Sequence, residues 1–149
     1  MFKKLSALFK ALQHDASGFG EPDTTTIHLA MASLLCEVSR ADRQEDPAEQ
    51  AAKQHQLTLL LDISDDDAAS LLQQATERAE NAVSLYDFTS KLRSLQPNER
   101  YLLIEAMWEV AYADGVLDPQ EEAIIRQVAE LIYVDHAEFI RAKLAAQPQ

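Results

Sequence analysis

An all-α fold is predicted for this chain: a single compact bundle of about seven to eight helices, built from two related helix-loop-helix halves. Apolar residues recur at i, i+3, i+4 and i+7 along most of the sequence, which is the spacing of one helical face. No alternating strand pattern or β-hairpin signature competes with it. The 149 residues are 47% hydrophobic and include only three glycines, a composition typical of one globular domain.

Three segments are expected along the chain. Residues 1–16 read as an amphipathic N-terminal helix, because the apolar positions up to Leu12 fall on one side and three lysines lie elsewhere. Residues 17–23, "SGFGEPD", hold two of the three glycines and read as a linker. Residues 24–146 are predicted to form the helical domain.

The first helices of that domain follow from periodicity and capping. The first apolar face consists of Ile27, Ala30, Met31, Leu34, Leu35 and Val38. A second helix is expected from about Pro47 to Leu61. Ser64 then reads as an N-cap before three aspartates. The stripe behind it is Ala68, Leu71, Leu72, Ala75 and Ala79.

The later helices are predicted in the same way. A short helix after Ser84 places Leu85, Phe88 and Leu92 on one side. The stripe after Pro97 is Leu102, Leu103, Ala106, Met107 and Val110. A helix is expected from Pro119 to about Val134, and a last one from Asp135 with Phe139, Ile140 and Leu144 inside.

One phrase occurs twice, which is the basis for predicting two halves. "EVSRADRQEDPAE" from Glu37 and "EVAYADGVLDPQE" from Glu109 share seven of thirteen positions at a shift of 72 residues. The apolar stripes on either side of the phrase also align at this shift. Each copy is therefore interpreted as a helix, a tight loop and a second helix.

Helix capping explains part of this phrase. Asp118 at N-cap with Pro119 and Glu121 after it forms an acidic capping box, and Asp46 caps the first copy in the same way. Gly115 fits a position just past a helix end, where a positive φ is common. Such a cap is worth about 0.5–2 kcal/mol, which is reason enough to keep these residues.

The remaining carboxylates are not explained by capping. Glu37 and Glu109 lie at the edge of an apolar stripe, and Asp42 and Asp114 lie just past its end. Acids in such places are solvated, paired or bound to a metal, and the sequence leaves these alternatives open. A true EF-hand is disfavoured, because the earlier ligand positions of that loop would be Val110 and Tyr112.

The paired phrases "E-V-x-x-A-D" and "A-D-G-x-L-D-x-x-E", in an all-α acidic domain, resemble the TerB family of tellurite-resistance proteins. The likeness runs from about Asp23 to Leu144. The same domain occurs at the membrane-proximal end of a DnaJ-type co-chaperone. The resemblance implies a helical domain of two related halves that acts in resistance to tellurite and other chemical stress without catalysing a known reaction.

The resemblance also implies a metal-ion site made of acids. Carried over, it assigns Glu109, Asp114 and Glu121 in the second copy and Glu37, Asp42 and Glu49 in the first. Calcium or another divalent cation is the expected cofactor. Arg43 stands where the second copy has Gly115, so the second copy is the better candidate.

Charge and motif content narrow the remaining functions. A net charge of −12 without a basic stripe disfavours nucleic acid as a partner. Four scattered histidines and a single cysteine offer no catalytic or zinc-binding spacing, so no enzyme is predicted. Without an export signal or a spanning segment, the expected location is the cytoplasm.

The sequence supports three hypotheses about the partner and the mechanism. The leading one is a stress-response domain that recognises a protein partner and binds a divalent cation. The alternative is a purely structural interaction module without metal, and a calcium sensor that opens on binding is disfavoured. Residues 1–12 are expected to fold back onto the domain, to contact a second copy in a homodimer, or to touch the inner face of a membrane peripherally.

Overall fold

The computed structural model describes residues 23–40, 47–113 and 115–148. Within these ranges the chain forms seven α-helices, one short 3-10 helix and no strand, which confirms the predicted all-α class. The helices are α1 Thr24–Arg40, α2 Pro47–Leu61, α3 Asp65–Asn81, α4 Tyr86–Thr89 continued by the 3-10 turn Ser90–Leu92, α5 Pro97–Ala111, α6 Pro119–Leu131 and α7 His136–Ala146.

The apolar stripes of α1 and α5 form the centre of the core. Every residue predicted for these two stripes is buried, and α2 has the predicted bounds. Two expectations at the end of the chain are wrong. Helix α6 stops at Leu131 rather than near Val134, and Leu144 is 63% exposed, because Ala142 and Ala146 are the residues of α7 that face the core.

The structure extends the sequence repeat to a third helix in each half. Helix α3 packs mainly on α1, and α7 packs mainly on α5. The turn before α3 contains Asp62 at φ 53° and the turn before α7 contains Tyr133 at φ 62°, each two residues before the N-cap of the helix that follows. Ser64 and Asp135 then cap α3 and α7 through their side chains. The halves join because α5 also contacts α1 and α2.

The buried indole of Trp108 marks the contact between α5 and α7. Its ring centroid lies 5.2 Å from that of Phe139, and Lys143 Nζ lies 5.4 Å from the Trp108 ring. Lys143 also donates a 2.7 Å hydrogen bond to Glu122 Oε1 of α6. These contacts tie the three helices of the second half together.

The first described helix begins at Thr24 and the last ends at Ala146. The predicted N-terminal helix, residues 1–16, and all but the last residue of the predicted linker lie outside the described residues. Among the described helices, none combines the length and the apolar character needed to cross a bilayer.

Candidate functional site

The predicted acidic ligands occupy matching places in the two halves. Glu37 and Glu109 lie near the carboxyl ends of α1 and α5, and Glu49 and Glu121 lie in the first turns of α2 and α6. Asp42, Asp46 and Asp114 lie outside the described residues. The structure therefore places four of the six predicted ligands and one of the two predicted caps.

The loop of the second half turns sharply at Gly115. Its φ is +85°, and its N–H donates a 2.9 Å hydrogen bond to the Tyr112 carbonyl. No heavy atom lies within 4 Å of the place that a Cβ would take, so glycine is required by the backbone conformation rather than by space. Leu117 then packs against the core and anchors the end of the loop.

Helix α6 begins with the capping box that the sequence predicts. Asp118 Oδ1 accepts a 2.7 Å hydrogen bond from the Gln120 N–H, and Glu121 Oε1 accepts a 3.1 Å bond from the Asp118 N–H. Glu121 is fully buried in this position. One carboxylate oxygen of Glu121 is thus held by the helix start, and a cation would have to use the other.

A third helix start of this kind was not predicted from the sequence. The Gln96 N–H donates a 2.6 Å hydrogen bond to Glu99 Oε1, and Glu99 is also fully buried. Burial raises the pKa of Glu99, while the bond from Gln96 and the charge of Arg100 oppose that rise. The shared signal is a glutamate two residues after the proline that opens α2, α5 or α6.

Glu37 and Glu109 have different surroundings although they are equivalent in the repeat. Arg40 Nη1 lies 3.1 Å from Glu37 Oε1, and burial raises the pKa of Glu37 while Arg40 opposes the rise. Burial also raises the pKa of Glu109, and the charge of Glu105 raises it further, against a smaller opposing effect of His55. None of the ion pairs formed within the described ranges involves Glu109.

A buried lysine in the first half was missed in the sequence. Lys53 of α2 is 3% exposed, and its Nζ donates a 2.9 Å hydrogen bond to Ser39 Oγ near the end of α1. A usable signal was the charge difference between the copies. Residues 37–53 hold five acids and three cations, whereas residues 109–125 hold five acids and no cation.

The described residues alone do not assemble a metal centre. No group of three or more histidine, cysteine, aspartate or glutamate side chains converges among them. The aspartates that would complete either ligand set, Asp42 and Asp114, are outside these ranges. The described members of the second set are Glu109 and Glu121, which lie before and after the Gly115 turn along the chain.

The grooves of the described surface lie mostly away from these acids. One of about 600 Å³ runs between the start of α1, the end of α3 and α4, beside Leu29, Arg78 and Lys91. A second, of about 460 Å³, is lined by Tyr86, Arg93 and Tyr133, among others. Tyr133 is 86% exposed and Tyr86 is 52% exposed, so two aromatic rings flank this groove.

The family model described as the tellurite resistance protein TerB matches residues 28–144, which is most of the chain. The chain belongs to the TerB family. The matched range contains both copies of the repeated phrase and every predicted ligand, in agreement with the resemblance that those residues carry. Comparison of this TerB domain with curated proteins and with solved structures gives no match.

Proposed function

We propose that this TerB domain acts in resistance to tellurite and related chemical stress as a non-catalytic protein that binds a divalent cation and a protein partner. The cation would bind in the second half, through Glu109, Asp114 and Glu121. Hard cations such as calcium take carboxylate oxygens of this kind as ligands. The proposed location is the cytoplasm.

The environment of Glu109 carries the proposal. This carboxyl is half-buried beside the negative charge of Glu105, and both factors raise its pKa. A carboxylate in such a place is destabilised unless a positive charge lies near it. No ion pair within the described ranges involves Glu109, and His55 opposes the rise in its pKa only in part. A bound cation would supply the missing charge.

The loop supports the same half of the molecule. Gly115 makes the sharp turn after Asp114, and the capping box holds Glu121 at the start of α6. The first set, Glu37, Asp42 and Glu49, is the weaker candidate, because Arg40 already pairs with Glu37. Its loop also carries Arg43 in the position of Gly115.

The experiment is thermal melting of EDTA-stripped protein titrated with calcium, magnesium, zinc or manganese. An ion at a hundred times its Kd stabilises the fold by about 2.7 kcal/mol. We expect a saturating rise in Tm that Asp114→Asn abolishes. Asp66→Asn, which removes an exposed acid in the first turn of α3, is the matched control and should keep the rise. If none of the four ions changes the wild-type Tm, the domain does not bind these cations.

A structural interaction module without metal is the second candidate. The groove between Tyr86 and Tyr133 favours it, because exposed tyrosines beside an arginine are typical of protein interfaces. On this alternative the repeated acids serve as helix caps and solvated charges, and no ion changes the Tm. The melting experiment therefore separates the two candidates.

The N-terminal segment, outside the described residues, adds a further part to the proposal. Its three lysines and apolar face suit contact with the acidic domain, with a second copy, or with the anionic inner face of a membrane. Three lysines supply at most about 3 kcal/mol of attraction to such a surface. Membrane contact would therefore be peripheral and reversible.

A further inference from the structure

The groove between Tyr86 and Tyr133 is a basic exception on an acidic protein. Arg93 and Arg100 line it, and none of its described lining residues is an aspartate or a glutamate. The chain as a whole has 25 acidic and 13 basic residues. A groove that collects two arginines and no acid on such a chain points to an anionic ligand.

Arg100 holds the two sides of this groove together. Its Nη1 donates a 2.8 Å hydrogen bond to the carbonyl of Ile132, the residue directly before Tyr133. Its Nη2 donates a 2.9 Å hydrogen bond to the Arg93 carbonyl. The charge of Arg100 also acts on the buried Glu99, whose pKa it lowers in part. Arg100 is therefore a positioning residue, which fixes the backbone beside both Arg93 and Tyr133.

Arg93 is the exposed positive charge of the groove. Its Nη2 donates a 2.8 Å hydrogen bond to the Tyr86 hydroxyl, which holds the guanidinium beside that residue. This acceptor is neutral, and none of the ion pairs within the described ranges involves Arg93. A guanidinium has five N–H donors, so those left over can bind a carboxylate through two parallel hydrogen bonds.

Tyr133 places an exposed ring on a strained backbone. Its φ is 62°, and the residue is 86% exposed. The turn before α3 has a similar φ at Asp62, a residue type that adopts this conformation more readily. Neither backbone preference nor burial therefore accounts for a tyrosine here. An exposed aromatic ring in an arginine-lined groove suits contact with a partner.

The groove continues into its neighbours on two sides. It shares Tyr86 and Ser90 with the groove of about 600 Å³ beside α1. It shares Arg100 and Tyr133 with another of about 350 Å³ that reaches Arg141 on α7. Three joined grooves suit an extended segment of polypeptide better than one small molecule or ion.

We propose that this groove binds an acidic peptide segment of a protein partner. A carboxylate of the segment pairs with Arg93, and an apolar side chain packs on the ring of Tyr133. The basic N-terminal residues of the chain itself do not complement an arginine-lined groove. A nucleic acid or an anionic membrane would also meet the acidic remainder of the protein, which a short segment avoids. The inference rests on the protein partner of the proposed function and needs no cation.

The test is fluorescence anisotropy of a labelled peptide with glutamates on both sides of one phenylalanine, titrated with the full chain in EDTA. A second peptide has glutamine in place of every glutamate. We expect saturable binding of the acidic peptide that weakens as salt is added, because salt screens exposed charges. The glutamine peptide should bind about ten-fold more weakly or worse.

A charge reversal locates the binding in the groove. Arg93→Glu replaces attraction by repulsion and should weaken binding of the acidic peptide about ten-fold or more. Arg126→Glu is the matched control, because it makes the same charge change at an exposed position of α6 that lines none of the three grooves. It should change the affinity by less than about two-fold.

Tyr133→Asn separates binding from folding. Asparagine adopts the left-handed conformation more readily than tyrosine, so the midpoint of urea unfolding should stay the same or rise. The affinity for the acidic peptide should nevertheless fall about five-fold, because the ring is lost. Leu144→Ala changes an exposed apolar residue of α7 that lines none of the three grooves, and it should leave the affinity unchanged.

The proposal is overturned if the wild type does not bind the acidic peptide, if it binds the glutamine peptide equally well, or if Arg93→Glu or Tyr133→Asn keeps the wild-type affinity. Stronger competition by a single-stranded oligonucleotide or by phosphatidylserine vesicles than by unlabelled peptide would assign the groove to phosphates. A wild-type dimer in sedimentation that Arg93→Glu dissociates would assign it to a second copy. Because the titration is done in EDTA, these outcomes are independent of the ion-dependent rise in Tm, which succeeds or fails separately.

Discussion

Buried glutamates at helix starts recur in this domain. Glu49, Glu99 and Glu121 each follow the opening proline of a helix by two residues, and each is fully buried. The carboxylates of Glu99 and Glu121 accept the N–H of the residue before the proline, a donor that the helix itself leaves unsatisfied. Burial of Glu99 and Glu121 is therefore explained by helix initiation, and burial alone does not mark Glu121 as a ligand.

His28 of α1 should make stability depend on pH. Burial lowers the pKa of His28 to about 4, from an ordinary value of 6.5. Because the unfolded chain takes up this proton first, stability should fall as the pH drops from about 6.5 to about 4, by roughly 3 kcal/mol in total. The raised pKa values of Glu37, Glu99 and Glu109 act with the opposite sign in the lower part of this range.

Urea unfolding at several pH values between 7.5 and 4 measures this dependence. His28→Gln should flatten it between pH 6.5 and 4, because the buried imidazole is gone. His136→Gln, at an exposed position of α7, should leave the slope close to that of the wild type. Equal slopes for His28→Gln and the wild type would show that another group is responsible.

Asp118 tests the capping box at the scale of one helix. Asp118→Ala removes the acceptor for the Gln120 N–H, so the free energy of unfolding should fall by about 0.5–2 kcal/mol. Asp118→Asn keeps a side-chain oxygen at the N-cap and should lose much less. The measurement is urea unfolding in EDTA and, in parallel, in excess calcium. If the loss appears only when a cation is present, Asp118 acts as a ligand and not mainly as a cap.

The ends of helices show where sequence patterns stop being informative. The apolar pattern continues through Leu131, Ile132 and Val134, and so predicts a longer α6 than the structure has. The helix ends instead because Tyr133 adopts a left-handed conformation, with the Val134 N–H donating to the Ala129 carbonyl at 2.8 Å. An aromatic residue is uncommon in the left-handed region, and the sequence has no glycine or asparagine at this turn to predict it.

Some features of the candidate site can be predicted from the sequence, and others cannot. Gly115 and Asp118 could be predicted, because a positive φ and an N-cap are local properties with strong residue preferences. The contact of Lys53 with Ser39 could not, since it depends on how α2 crosses the end of α1. The pairing of Glu37 with Arg40, by contrast, is a one-turn contact within α1 that the spacing allows.

Charge is distributed unevenly over the whole molecule. The net charge of −12 includes three N-terminal lysines, so the rest of the chain carries −15. In sequence, residues 37–53 include three basic residues beside five acids, whereas residues 109–125 include five acids and no basic residue. The second copy is therefore the more negative of the two, and the cation binding proposed for it would reduce its charge repulsion.

The two halves should unfold together, because α5 of the second half contacts α1 and α2 of the first. Trp108 is the single tryptophan and is fully buried on α5, so its fluorescence reports on a helix of the second half. Ala75 is fully buried on α3, and Ala75→Leu should overpack the first half at a cost of about 1–3 kcal/mol. We expect the tryptophan fluorescence midpoint in urea to fall together with the circular dichroism midpoint.

The control, Ala69→Leu, changes an exposed residue of the same helix and should leave both midpoints nearly unchanged. If Ala75→Leu leaves the fluorescence midpoint unchanged and makes the dichroism curve biphasic, each half folds independently and α5 does not couple them.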